Sequence, residues 1–197
     1  MPLAGHGLRP TPLPRRADRP QLKRDPLGST MSMPLSHLDS DGFVILPGFL
    51  SEGELGHLEQ ILPPVDPEAG GLRNLLDIPQ IATFAEGEHV GSLVHPVLER
   101  DAFPIRAILF DKTEGANWKV SWHQDVTIAV RERRKVPGYG PWSSKRGVVH
   151  VQPPAAVLEQ MLAVRLHLDE SGVGNGPLRV LPGSHRAGKL CDEEIPA

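Results

Sequence analysis

Lys119-Val-Ser-Trp-His-Gln-Asp-Val-Thr-Ile-Ala-Val130 is the stretch on which the fold turns. It is rich in β-branched residues and alternates in polarity, the pattern of a strand with two unlike faces. On a strand, residues i and i+2 share a side. His123 and Asp125 therefore present an imidazole and a carboxylate together, toward a polar cavity, with Lys119 and Ser121 on the same side. Trp118, Val120 and Trp122 face the other way and anchor the strand. An imidazole beside a carboxylate supplies two of the three donors of a 2-His-1-carboxylate iron site. The same pair also fits a hydrogen-bonded His–Asp couple with no metal, and His-x-Asp alone does not decide between the two.

Strand signals continue on both sides. Ile105–Phe110 reads as a strand before it. A polar loop spans 132–147, with Pro137, Gly138, Gly140 and Pro141, and Gly147–Val151 returns to strand. Pro153 and Pro154 introduce a short helix through Gln160. Met161–Leu168 then alternates: Leu162, Val164, Leu166 and Leu168 face one way, Ala163, Arg165 and His167 the other. A turn with Gly172, Gly174, Asn175 and Gly176 leads to a last strand, Leu178–Leu181.

The first half is helical. After a short strand at Phe43–Leu46, Ser51 opens a helix whose capping box closes at Glu54. Leu50 and Leu55 sit at staple positions, and Leu55, Leu58, Ile61 and Leu62 form one apolar face. Pro63 and Pro64 stop it. Further helices are expected over 78–86 and 89–99, the second bent near Pro96. Helices followed by short strands with Gly/Pro turns point to a β-sandwich or jelly roll with helices packed on one face. The organisation is a Pro/Arg-rich tail over 1–34, with no apolar periodicity, then one domain over 35–197, helical at 50–100 and β at 103–190.

Bulk properties narrow the function. The 197 residues are 39% hydrophobic and 23% charged, with a formal charge of -3. This is ordinary globular composition, with no excess of positive charge to attract nucleic acid or an anionic membrane. Cys191 is the one cysteine, so no internal disulfide forms, which suits a reducing, cytoplasmic setting. No apolar run reaches the ~18 residues of a membrane span. The partner expected is a small-molecule substrate, and nothing in the sequence sets an oligomeric state.

Three motifs in order resemble the phytanoyl-CoA dioxygenase family: Asp41-Gly-Phe-Val-Ile-Leu-Pro-Gly-Phe-Leu50; Ile108-Leu-Phe-Asp-Lys-Thr with Asn117-Trp-Lys-Val-Ser-Trp-His-Gln-Asp125; and Leu166-His-Leu-Asp-Glu with Asn175-Gly-Pro-Leu-Arg-Val-Leu-Pro-Gly-Ser-His185. The resemblance covers residues 38–190. It implies a double-stranded β-helix (a cupin-like jelly roll). It implies an oxidoreductase, a dioxygenase in which Fe(II) held by His123 and Asp125 uses O2 and 2-oxoglutarate to hydroxylate a C–H bond. The family pattern also implies a distal His tens of residues after the Pro-Gly-Ser-His segment, then an Arg for the co-substrate. The chain ends twelve residues after His185 and carries neither, so an incomplete C-terminus is expected.

Other side chains carry two readings each. Lys112 contacts 2-oxoglutarate or is a solvated strand-end lysine. Arg165 grips the co-substrate or pairs with Asp169 or Glu170. Trp142 walls the co-substrate pocket or packs its own loop. His150 and His167 are candidates for lining the substrate pocket, His167 equally a satisfied buried histidine. His185 fits a turn-tying role better than iron ligation. The run Arg131-Glu-Arg-Arg-Lys135 reads most simply as a solvated loop. Two other functions stay open: an inactive relative serving as a ligand- or partner-binding module, and a hydrolytic zinc site, disfavoured because catalytic zinc usually takes three protein ligands.

Overall fold

Ser51 caps a helix. In the computed structural model, which describes residues 35–99, 101–113, 116, 120–170, 172 and 177–195, α1 covers Leu35–Asp41 and α2 covers Glu52–Ile61. The capping box at the start of α2 is complete: the Ser51 amide donates to Glu54 Oε2 at 2.7 Å, and the Glu54 amide donates to Ser51 Oγ at 3.3 Å. Hydrogen bonds from the Ser51 side chain, then from its backbone, hold the Glu54 carboxyl below its ordinary pKa; burial opposes this and His89 adds to it. That part of the cap's stability is present above the usual carboxylate range and is lost as pH falls through the lowered pKa. Leu50 and Leu58 are buried on either side of this cap, and Pro63-Pro64 follow the helix end.

Next, α3 (Pro79–Glu86) and α4 (Glu88–Leu98) meet at Gly87, which caps the end of one and the start of the other. Proline at the first position of α3 costs no hydrogen bond, because that amide has no helical partner. Pro96, inside α4, does remove one. Ile81 buries α3 against its neighbours. The expected helices over 51–62, 78–86 and 89–99 thus agree with the structure to within a residue or so, whereas α1 was not expected as a helix.

Two antiparallel sheets follow. In the first, β1 (Gly71–Leu72) pairs with β2 (Leu109–Phe110), with Leu72 opposite Leu109. Beyond the strands, the Leu75 amide donates to the Ala107 carbonyl at 3.3 Å, carrying the contact into a 3-10 turn at Leu75–Asp77. In the second sheet, β5 (Val148–Val151) lies between β3 (Ile128–Val130) and β4 (Trp142–Lys145). Val151, fully buried, is the core of this sheet. Arg146 and Gly147 join β4 to β5, both at positive φ (49° and 83°), the two-residue turn that suits the right-handed twist of a hairpin. A fifth helix, α5, is a single turn at Ala155–Leu158, as the Pro153-Pro154 signal implies.

Several strand expectations are corrected. Phe43–Leu46, residues 120–127, Met161–Leu168 and Leu178–Leu181 belong to no ladder among the described residues, and Ile105–Phe110 shortens to Leu109–Phe110. Conversely, β4 lies within the expected 132–147 loop. The described residues close no barrel. The tail over 1–34, Asn117, Trp118, Lys119 and the turn residues Gly174, Asn175 and Gly176 lie outside the described residues. The unpaired segments keep large apolar groups at the surface, with Ile45 77% and Phe103 80% exposed.

The end of α1 is hooked to the Pro-Gly-Ser-His segment. His185 Nε2 donates to the Asp39 carbonyl at 3.0 Å, the Gly183 amide donates to the Asp41 carbonyl at 2.9 Å, and Arg186 pairs with Asp39 at 3.0 Å. Gly42 passes directly beneath the His185 ring at φ 82°, so a Cβ there would strike the imidazole. Gly42→Ala therefore meets both a backbone penalty and a clash. It should destabilise the protein by about 1–3 kcal/mol, measured as a lowered denaturant midpoint with unchanged m-value.

Candidate functional site

The segment carrying His123 and Asp125 is held by the residues between and before them. The Gln124 side chain donates through Nε2 to the Gly188 carbonyl at 2.8 Å and accepts from the Leu190 amide at 2.9 Å. The Arg179 guanidinium lies 4.8 Å from the centroid of the Trp122 ring, a cation–π contact. Trp122 and Gln124 thus fasten this segment to residues 179–190. His123 and Asp125 are exposed, not enclosed in a cavity on a common strand; the expectation of a strand over 119–130 holds only from Ile128 onward.

The His123 ring is nonetheless held in one tautomer. Its Nδ1 lies 2.9 Å from the Ser121 carbonyl. A carbonyl only accepts, so Nδ1 carries the proton and Nε2 keeps its lone pair, the tautomer that binds metal. With the Asp125 carboxylate, the donor set suits two positions of a facial iron site. Among the described residues no group of three His, Cys, Asp or Glu side chains converges on a metal position.

The remaining candidates are dispersed. Lys112 is half-buried just beyond β2. Trp142 begins β4 rather than sitting in a loop, and Arg133 from the basic run lies 5.5 Å from its ring centroid; the neighbouring Arg134 Nε donates to Glu132 at 2.7 Å. Arg165 and His167 are exposed. Partial desolvation lowers the Arg165 pKa, and desolvation first, then the charge of Arg165, lowers that of His167. His185 is occupied by α1. His150 differs from the rest: it is buried on β5, with Nδ1 3.0 Å from the Val148 carbonyl.

His150 lines a cleft of about 150 Å³ whose rim carries Arg73, Arg106, Lys145 and Asp77 and whose walls include Ile105, Ile108, Ala129 and Val148. None of His123, Asp125, Lys112, Trp142, Arg165 and His167 lines it. Sequence reasoning passed over its cations. Arg106 is hidden in an apolar run, and Lys145 sits beside a turn read as loop. Gln124, opposite in phase to His123 and Asp125, has no role in the sequence reading either.

The family model for Phytanoyl-CoA dioxygenase (PhyH) matches residues 38–194. The chain belongs to that family. Phytanoyl-CoA dioxygenase domains have a cupin-like jelly-roll fold, and the family is generally dependent on Fe(II) and 2-oxoglutarate; the described residues here form small antiparallel sheets and close no barrel. No curated protein and no solved structure matches the chain. No helix among the described residues is long and apolar enough to cross a membrane.

Two measurements check this site. Gln124→Ala should accelerate hydrogen exchange at the Leu190 amide and cost about 0.5–1.5 kcal/mol, because one side chain makes two backbone hydrogen bonds. The His167 ring should titrate below an ordinary histidine in NMR, and Arg165→Gln should raise its pKa. Since the folded pKa is the lower one, His167 contributes stability present above the ordinary histidine pKa and lost as pH falls through the lowered one. Arg165→Gln should reduce that loss.

Proposed function

We propose that the protein is a non-haem Fe(II)/2-oxoglutarate-dependent oxygenase that hydroxylates a C–H bond of a small molecule, with His123 and Asp125 as two of the iron ligands. The observation carrying this reading is the family match over residues 38–194, which takes in the His-x-Asp segment. When bound, iron with 2-oxoglutarate supplies the oxygen activation. The chain's own part is positional. Ser121 fixes the His123 tautomer through its carbonyl, and the Gln124 and Trp122 contacts hold the segment so that both donors stay available. Two donors alone hold a divalent metal weakly, and among the described residues no third side chain joins them. Lys112, Arg165 and Trp142 stand as proposed contacts for the co-substrate, and His167 as a proposed pocket residue.

Anaerobic titration with Fe(II) and 2-oxoglutarate tests the assignment. We expect a visible charge-transfer band, weak for this chain, that disappears in His123→Ala and in Asp125→Ala while circular dichroism is unchanged. A band of equal strength in either variant would show that the metal sits elsewhere.

A further inference from the structure

The cleft lined by residues next to β1 and β2 and by the β4–β5 hairpin carries more positive than negative charge among the described residues. Pairing of Leu72 with Leu109, and the bond from Leu75 to Ala107, bring Arg73 and Arg106 to one edge. The hairpin register brings the other side. Ser143 and Ala129 both stand opposite His150, and Lys145 opposite Val148, so Lys145, His150 and Ala129 share a face of the sheet.

Arg73, Arg106 and Lys145 form no ion pair among the described residues, and the cleft holds three cations against the carboxylate of Asp77. His150 fixes its proton on Nδ1 by donating to the Val148 carbonyl. Between the charges the walls are apolar: Ile105, Ile108 and Val148. Like charges gathered around a concavity repel, and the arrangement is relieved by an anion seated among them. Guanidinium groups match the paired oxygens of a carboxylate or a phosphate, and a lysine adds a point charge.

We propose that this cleft binds a small organic acid, with its carboxylate or phosphate end held by Arg73, Arg106 and Lys145 and a short apolar body against Ile105, Ile108 and Val148. Resting on the oxygenase reading, this is the group by which the enzyme selects its substrate, which makes that substrate an anion.

Calorimetric titration of the iron-free full chain with hexanoate, hexyl phosphate, hexanol, inorganic phosphate and 2-oxoglutarate decides the matter. Hexanoate or hexyl phosphate should bind and hexanol should not; the tighter of the two acids identifies the charged group. Arg73→Gln and Arg106→Gln should each weaken binding about tenfold, as expected for loss of a charge-assisted hydrogen bond, with Lys145→Gln as a second variant away from the arginine edge. Equal binding of hexanol, or affinity unchanged in all three variants, would overturn the proposal. So would binding of 2-oxoglutarate or inorganic phosphate alone, since the cleft would then serve the co-substrate or be an unselective patch. Because no iron is present, organic-acid binding without later turnover by loaded protein would count against the oxygenase reading and leave the cleft assignment standing.

Discussion

Gln124 bonds to backbone groups 64 and 66 residues further along the chain, and the exposure of the two prospective metal donors depends on that clamp. A side chain with one acceptor and two donors is suited to gripping a carbonyl and an amide at once. Placed between His123 and Asp125, it commits its own side of the segment to residues 188–190. Trp122, tied to Arg179, does the same one step earlier in phase. The segment carrying His123 and Asp125 is thus held from its other side by Gln124 and Trp122.

The second organising element is the burial of His150 in the middle strand of its sheet. An imidazole removed from water is costly unless its nitrogens are satisfied. Here the strand's own carbonyl at Val148 accepts the hydrogen bond from Nδ1–H, so no other element need supply that partner. The polar ring can then stand beside fully buried Val151 without breaking the core. Charged groups at the rim and a polar ring at the wall give this concavity a chemistry distinct from the open surface around His123.

The helical half was legible because its signals are local. Ser51 and Glu54 lie three residues apart and satisfy one another; Pro79 marks a helix start; Pro63-Pro64 mark an end. The β half was legible in its faces and not in its partners. Along 161–168, Leu162, Leu166 and Leu168 are half-buried while Ala163, Arg165 and His167 are exposed, as alternation implies, yet Val164 is exposed and no ladder forms. Side-chain patterning records which way residues point, whereas ladder formation requires a second segment chosen by long-range packing. The hairpin at β4–β5 was missed for a related reason: its turn is Arg146-Gly147 instead of the stronger Asn-Gly or Asp-Gly signal. At the site, the sequence singled out His123 and Asp125, but their open setting and the cationic cleft depend on contacts between distant segments.

The hook between His185 and α1 spans 146 residues of chain. Contacts so far apart in sequence demand loop closure before they return any stability. During synthesis, α1 emerges early and can find its seat only after the Pro-Gly-Ser-His turn has left the ribosome. Until then α1 lacks the turn to which its Asp39 and Asp41 are bound. This helix is therefore a latch, made well before the turn that fastens it.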